Sequence, residues 1–170
     1  MEGPVLDSGC GTGNTSLFFS ACGLKVTGID FVEEAISHAR TKSAERGLTV
    51  EFLVMDAMKL IEWDNRFASL IDSGLFHIYS GEERKLYVKC LAHVLKPSGR
   101  LFLFSFSNKL PPEMGGVSES ELYNIFSEGW DIESLKLVQG ELNPAYEEEF
   151  SDWSLNGDPK MWFAIIRRKE

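Results

Sequence analysis

The glycine-rich stretch near the start of the chain is the clearest sign of chemistry in the sequence. Residues 4–14 read PVLDSGCGTGN, with Gly9, Gly11 and Gly13 on alternate positions after a short apolar run that ends in Asp7. Glycine allows positive φ angles and close approach of the backbone to a ligand, and such loops bind nucleotides at the N-terminus of the helix that follows. The stretch therefore predicts a nucleotide-binding loop.

Four aspartates lie at the carboxyl ends of predicted strands: Asp7, Asp30, Asp56 and Asp72. In an open parallel sheet, ligands bind at the carboxyl ends of the strands, near the point where the strand order reverses. Four carboxylates at one edge repel one another, so they favour a ligand with hydroxyls, N–H groups or positive charge over a phosphate-rich one. The alternative is that aspartates cap helices after strands, which could explain two of the four.

A dinucleotide fingerprint fits the loop poorly. It requires glycine or alanine where this chain has Asn14, and it prefers an apolar residue where this chain has Asp7. Asp30 lies about twenty residues beyond the loop, where an acidic residue accepts hydrogen bonds from ribose hydroxyls. The sequence therefore favours an adenosine cofactor without a pyrophosphate.

Composition limits the class of protein. The chain has 170 residues, 44% of them apolar, which suits a single domain over residues 1–170. The formal charge of −9 and the lack of a basic stripe oppose binding to nucleic acid or to an anionic membrane. Because the three cysteines lack disulfide or metal-ligand spacing, and no leader or long apolar run is found, we expect no metal and a cytoplasmic location.

The elements that position these residues follow from hydrophobic patterning. Short apolar runs alternate with amphipathic segments, which predicts β-α units and a mostly parallel sheet. Strands are expected at residues 5–7, 25–30, 50–55, 67–71, 100–106, 130–137 and 161–166. A mobile loop at 110–116 and an acidic connection containing Trp153 complete the expected topology.

Helices are predicted between these strands. One continues from the glycine loop over residues 16–21, and a second carries an apolar stripe that ends at Gly47, a C-cap. Capping boxes of Ser80 with Glu83 and Ser118 with Glu121 are expected to open two more helices. The helix that begins at Ser80 is expected to bury one face, formed by Leu86, Tyr87, Cys90, Leu91, Val94 and Leu95.

The motifs resemble a known family. VLDSGCGTG, GIDF, VMDA and IDSGLFH, in this order and with KPSGR before the fifth strand, look like the successive motifs of class I S-adenosylmethionine-dependent methyltransferases. The resemblance covers nearly the whole chain. It implies a doubly wound, Rossmann-like α/β fold with seven strands, mostly parallel with the last strand antiparallel, helices on both faces, and S-adenosyl-L-methionine as cofactor.

The resemblance also implies roles for individual residues. Asp7 would lie near the ammonium group of the cofactor, directly or through water, while Gly9, Cys10 and Gly11 would line the methionine and the ribose. Asp30 would accept hydrogen bonds from the ribose hydroxyls, and Phe31 would pack on the adenine ring. The adenine edge would contact Asp56 and Ala57. The methionine portion and the transferred methyl group would border Asp72 and Ser73.

His77 is the candidate catalytic residue. Methyl transfer from a sulfonium is an in-line displacement that depends mainly on placing the acceptor and excluding water. If the acceptor loses a proton, His77 is the best-placed general base; the alternative is a helix-cap or packing role. Phe76, Tyr79 and Phe106 are candidate walls of an acceptor pocket, although aromatic residues near strand ends are more often core.

The acceptor is expected to be small. Residues 71–107 resemble the corresponding segment of thiol, thiopurine and halide methyltransferases, and no DPPY-like or NPPY-like sequence of amino-methylating nucleic-acid enzymes follows the fourth strand. A small thiol, hydroxyl or other metabolite is therefore the expected substrate, with no nucleic acid or membrane partner.

Family members usually carry an N-terminal helical segment before the glycine loop, and this chain starts almost inside the first strand. Either the chain is a truncated form, another segment such as 110–116 closes the site, or the cofactor is held loosely and catalysis is poor. Two alternatives to a methyltransferase are a non-catalytic module with the same fold and a nicotinamide-dependent oxidoreductase. The four motifs disfavour the first, and Asn14 in place of the third fingerprint glycine, together with Asp7 and Asp56, disfavours the second.

Overall fold

The computed structural model describes residues 1–64, 66–110, 116–139 and 160–170. The strands in these ranges are β1 (Val5–Ser8), β2 (Val26–Asp30), β3 (Glu51–Val54), β4 (Phe67–Ser73), β5 (Leu95–Phe106), β6 (Trp130–Gln139) and β7 (Lys160–Arg168). The helices are α1 (Asn14–Ala21), α2 (Glu33–Glu45), α3 (Gly81–Val94) and α4 (Glu119–Ile125), with short 3₁₀ helices at Ala57–Glu62 and Phe76–Ile78.

The strands form one sheet in the order β3-β2-β1-β4-β5-β7-β6. Strands β1 to β5 pair in parallel, whereas β7 runs antiparallel to both β5 and β6. The predicted seven-stranded sheet with an antiparallel last strand is therefore confirmed. Because the strand order reverses between β1 and β4, a ligand crevice is expected beyond their carboxyl ends.

Three clusters of buried side chains lie in the described part of the chain, and two of them support the elements around the site. The larger includes Leu70 of β4, Leu101 of β5 and Leu91 of α3. A smaller one joins α1, α2 and β3 through Leu17, Ile36, Ala39 and Phe52. The smaller cluster thus supports the glycine loop, and the larger cluster supports the turn after β4.

Phe52 occupies space that two glycines leave open. A Cβ atom on Gly13 would lie 2.6 Å from Cζ of Phe52, and one on Gly28 would lie 2.8 Å from the same ring. Gly13 also has a φ of +79°, which favours glycine. The ring therefore packs directly against the backbone at the start of α1 and in the middle of β2.

Two predicted helix details differ from the structure. Ser80 precedes α3, but its side chain makes no capping hydrogen bond; its carbonyl accepts from the N–H of Glu83 instead. Leu86 is 44% exposed rather than inward, whereas Arg84 and Val88 on another face of the same helix are buried. The capping box of Ser118 and Glu121 and the cap at Gly47 are confirmed.

The KPSG sequence does not separate α3 from a later strand as expected. Strand β5 already begins at Leu95, which pairs with Phe67, and an irregularity in the pairing precedes the next pair, Ser69 with Arg100. Most of the predicted mobile loop and the whole acidic connection around Trp153 lie outside the described residues. Among the described helices, none has the length and apolar character needed to cross a membrane.

Candidate functional site

A cleft of about 230 Å³ opens at the carboxyl edge of the sheet, where β1 and β4 diverge. Its walls come from the segments that follow β1, β2, β3 and β4: Gly9, Asp30, Phe31, Val32, Met55, Asp56, Ala57, Ser73, Gly74, Leu75, Ile78 and Tyr79. The charged side chains in this lining are the two carboxylates Asp30 and Asp56, without a lysine or arginine. Such a lining favours a cationic or hydroxyl-rich ligand over a phosphate-bearing one.

Asp30 connects the glycine loop to the end of β2. Its Oδ2 accepts a hydrogen bond from the N–H of Gly11 at 2.9 Å, and its Oδ1 accepts from the N–H of Val32 at 2.9 Å. The carboxylate is only half-buried and lines the cleft. Because each carboxylate oxygen has a second acceptor direction, Asp30 can hold the loop and still accept hydrogen bonds from ligand hydroxyls.

The glycines of the loop serve different purposes. A Cβ on Gly9 would lie 3.0 Å from Leu75, so this glycine lets the loop touch the turn after β4. A Cβ on Gly11 would meet nothing within 4 Å, which leaves open space above the loop for a ligand. The outer side of the loop is held by Lys42 of α2, whose Nζ donates to the side chains of Thr12 at 2.9 Å and Asn14 at 2.7 Å.

The far wall of the cleft combines an aromatic ring with a carboxylate. Phe31 lines the cleft and is nevertheless 72% exposed, so its ring has a free face for stacking on a planar group. Asp56 is exposed and uses Oδ1 to accept from the N–H of Met58 at 2.9 Å, which caps the following 3₁₀ helix. Ala57 beside it is largely buried and adds a small apolar surface.

Asp7 and Asp72 lie below the cleft rather than in its lining. Asp7 is 1% exposed, and its Oδ2 accepts from Oγ of Ser16 at 2.6 Å. Asp72 is 0% exposed, and its Oδ1 accepts from the N–H groups of Leu75 at 2.9 Å and Phe76 at 3.1 Å. Burial raises the pKa of each carboxyl to about 6, against the opposing effect of these hydrogen bonds.

The structure thus brings six of the predicted cofactor residues to the cleft: Gly9, Asp30, Phe31, Asp56, Ala57 and Ser73. Cys10 and Gly11 belong to the same loop but not to the lining. Cys10 is half-buried, and burial, followed by the charges of Asp7 and Asp30, raises the pKa of its thiol far above the usual range. Its side chain therefore stays protonated and serves as a small apolar group.

His77 lies outside the lining as well. Its Nδ1 accepts the N–H of Phe106 at 3.2 Å, and the two rings stack with centroids 4.1 Å apart. Burial, and then the charge of Arg84, lowers the pKa of His77 to about 4. A neutral imidazole whose acceptor nitrogen is already engaged has no lone pair ready for a proton, so this geometry favours the packing role over the general base.

Of the three aromatic residues expected to form an acceptor pocket, one lines the cleft and two do not. Phe76 is fully buried in the core, Phe106 stacks on His77, and Tyr79 lines the cleft. The lining residues that sequence reasoning missed are Val32, Met55, Gly74, Leu75 and Ile78. The first three adjoin predicted site residues and could have been found by extending each motif by one position, whereas Leu75 and Ile78 depend on how the turn after β4 folds.

Comparison with known proteins identifies one family over more than half of the chain. Residues 5–99 match the family described as a methyltransferase domain. Over 140 residues the chain is 36% identical to a 2-heptyl-1-hydroxyquinolin-4(1H)-one methyltransferase of Mycobacteroides abscessus, which covers 79% of this chain and 62% of that protein. It is 34% identical over 103 residues to an uncharacterized methyltransferase of Schizosaccharomyces pombe, covering 61% of this chain and 71% of that protein.

Solved structures share the whole architecture. One, described as the conversion of a disulfide bond into a thioacetal group during echinomycin biosynthesis, has a TM-score of 0.80 and 32% identity over 99% of this chain and 77% of that one. A S-adenosylmethionine-dependent methyltransferase structure from Methanosarcina mazei has a TM-score of 0.77 and 26% identity over 97% of this chain and 91% of that one. The fold described above is therefore common to these proteins.

Proposed function

The chain belongs to the class I S-adenosylmethionine-dependent methyltransferases, and from this we propose that it transfers a methyl group to a small-molecule acceptor. The observation that carries the proposal is the cleft at the strand-order reversal, whose lining has two carboxylates and no cationic side chain. The chain spans 62% of the length of the Mycobacteroides relative, so the activity of the whole protein is part of the proposal.

The residues of the cleft fit S-adenosyl-L-methionine. Asp30 has acceptor directions left for the two ribose hydroxyls, and the exposed ring of Phe31 offers a stacking surface for adenine. Asp56 lines the cleft and keeps Oδ2 available to accept a hydrogen bond from the exocyclic amine of adenine. The space above Gly11 suits the methionine portion, whose charged groups include an ammonium and a sulfonium.

When bound, the cofactor supplies a methyl group on a positively charged sulfur. The chain's own contribution is to bind and orient that group: Asp30 and the N–H of Gly11 fix the loop, and the carboxylates around the cleft offset positive charge. Leu75 and Ile78 give the cleft an apolar wall on the side of β4, against which a bound cofactor would displace water. We assign no proton transfer to His77, because Nδ1 is engaged with Phe106.

A small thiol, hydroxyl or other metabolite remains the proposed acceptor. The Mycobacteroides relative is named for a hydroxyquinolone substrate, an aromatic ring with an N-hydroxyl group, which supports the acceptor class without identifying the compound. The net charge of −9 supports it further, because it opposes a polyanionic substrate.

Calorimetric titration with S-adenosylmethionine, S-adenosylhomocysteine and NADH in parallel tests the cofactor. We expect micromolar binding of the first two and none of NADH. Incubation with S-adenosylmethionine and a panel of thiols, phenols and hydroxyquinolines, followed by mass spectrometry, then tests the transfer. Binding without any methylated product would support the non-catalytic module, and binding of NADH alone would support the oxidoreductase.

A further inference from the structure

The hydroxyl of Tyr87 lies directly beneath the cleft, between β1 and β4. Tyr87 belongs to α3 and is 0% exposed; its hydroxyl oxygen is 3.0 Å from Oγ of Ser8 and 2.8 Å from Oδ2 of Asp72. Ser8 and Asp72 are paired in the register of the two strands. A phenol has one proton, so Tyr87 donates to the Asp72 carboxylate and accepts from the Ser8 hydroxyl.

Each of these two strand residues immediately precedes a segment of the cleft lining. Gly9 follows Ser8, and Ser73 follows Asp72. The other oxygen of Asp72 accepts the N–H groups of Leu75 and Phe76 and thereby closes the turn after β4. Three hydrogen bonds on one buried carboxylate thus fix where this turn stands.

The two segments also touch one another. The side chain of Leu75 packs so closely on the glycine loop that a Cβ on Gly9 would lie 3.0 Å from it. A small movement of the turn after β4 therefore shifts Leu75 against the loop or away from it. The width of the cleft on this side depends on the Asp72 carboxylate keeping its orientation.

We propose that Tyr87 is a positioning residue that, through Ser8 and Asp72, holds the glycine loop and the turn after β4 at the spacing that S-adenosyl-L-methionine requires. The inference rests on the proposed function. Tyr87 does not line the cleft, and its hydroxyl acts on the cofactor through Ser8 and Asp72.

The hydroxyl rather than the ring carries this role. The ring packs in the core with Tyr79, at 4.9 Å between centroids, and phenylalanine would preserve that packing. Without the hydroxyl, Oδ2 of Asp72 loses its side-chain donor in a site without access to water, and a buried acceptor without a donor is costly. The carboxylate then turns or takes up a proton, and either change releases the turn.

The test compares Tyr87→Phe with Thr27→Val, a matched loss of one buried hydroxyl away from the cleft. Thr27 in β2 is 5% exposed and donates to Glu51 at 3.0 Å. Thermal unfolding without ligand and calorimetric titration with S-adenosylhomocysteine are measured for wild type and both variants. We expect Tyr87→Phe to bind about tenfold more weakly, as expected for one unsatisfied buried acceptor, and Thr27→Val to bind within about twofold of wild type.

The outcomes separate the two proposals. If wild type binds S-adenosylhomocysteine and Tyr87→Phe binds equally well, whatever its melting temperature, the positioning role is wrong and the proposed function stands. If wild type itself does not bind, the proposed function fails and the positioning role fails with it. Should Tyr87→Phe not fold, Ser8→Ala decides in the same way, with an expected loss of about two- to threefold because the contact of Tyr87 with Asp72 remains.

Discussion

Asp30 and Asp72 use the same local chemistry on opposite sides of the cleft. Each is an aspartate near the carboxyl end of a parallel strand, and each accepts hydrogen bonds from two backbone N–H groups of the segment that follows or faces it. Asp30 is half-buried and lines the cleft, whereas Asp72 is 0% exposed and holds its turn from below.

The difference lies in what occupies the remaining acceptor directions. For Asp72 the hydroxyl of Tyr87 takes one of them, inside the core. For Asp30 they are directed to the open side of the sheet, where a ligand can reach them. The comparison teaches that a strand-end carboxylate contributes to binding or to rigidity according to its burial, and variants on the two sides should separate these contributions.

Replacing Asp72 should have the largest effect, and mainly on stability. Asp72→Ala leaves two backbone N–H groups without an acceptor and removes the carboxylate acceptor of the Tyr87 hydroxyl, which keeps only Oγ of Ser8; we expect the free energy of unfolding to fall by about 3 kcal/mol. Urea unfolding measures this. The matched control is Asp64→Ala, at an exposed position, with an expected change of about 0.5 kcal/mol or less. Equal stabilities of the two variants would contradict the assignment.

Replacing Asp30 should instead act on the cofactor. Asp30→Ala is expected to weaken binding of S-adenosylhomocysteine about 100-fold, because hydrogen bonds to a charged acceptor are lost and the N–H of Gly11 loses its partner. The fold should be retained, since the carboxylate is not part of the core. Glu34→Ala removes a nearby exposed carboxylate outside the cleft and should change the affinity less than twofold. A similar loss in both variants would mean that only overall charge matters.

The burial of Asp72 should also be visible as a pH dependence. Its folded-state pKa is raised to about 6 from 3.8, so its favourable contribution is present below pH 3.8 and is lost as the pH rises through 6. Asp72→Asn lacks this titration. The unfolding free energy of Asp72→Asn, relative to wild type, should therefore rise by about 1 kcal/mol between pH 5 and pH 7.

The unfolding free energy of Asp72→Asn must be compared with that of wild type at each pH, because the titration of His77 changes the stability of both proteins in the opposite direction. Its pKa is lowered to about 4, so it stabilises the fold above pH 6.5 and that contribution is lost as the pH falls toward 4. This effect is present in both proteins and cancels. A difference that stays constant with pH would show that Asp72 is charged throughout this range and that its burial has no consequence for its titration.

The smallest effect is expected at His77. His77→Gln keeps an acceptor that can reach the N–H of Phe106, and we expect turnover within about threefold of wild type, with kcat independent of pH between 6 and 8. Steady-state kinetics with any acceptor found in the panel measures both. A loss of 100-fold or more, the size expected for a general base, would restore His77 as the catalytic residue.

The sequence was sufficient for the side of the cleft built on β1 to β3. Glycine spacing, the position of Asp30 beyond the loop and the alternation of apolar runs are local signals, and they predicted the loop, the strands and several lining residues. The alternation also predicted the mostly parallel sheet, because covered strands read as continuous apolar runs, whereas the antiparallel last strand was implied by the family resemblance.

The other side could not be predicted in the same way. Whether Asp72 faces a ligand or the core depends on Tyr87, which reaches it from α3 across the packed interior. The contact of Tyr87 with Ser8 joins residues 79 positions apart in sequence. Nor does the helical pattern of α3 reveal that Arg84, rather than Leu86, turns inward, because Arg84 bonds the carbonyl of Tyr79 and lies over the ring of Phe76, 5.2 Å from its centroid.

The packing of Phe52 against Gly13 and Gly28 has a consequence for how this sequence can diverge. A methyl group on either glycine would overlap the ring, while a small residue in place of Phe52 would leave a cavity in the cluster of α1, α2 and β3. A single substitution at any of these three positions is therefore expected to destabilise the fold. A larger residue at one glycine can be tolerated when a smaller residue replaces Phe52 at the same time. A mutant library that varies all three positions together should recover folded sequences that stepwise randomisation of single sites misses.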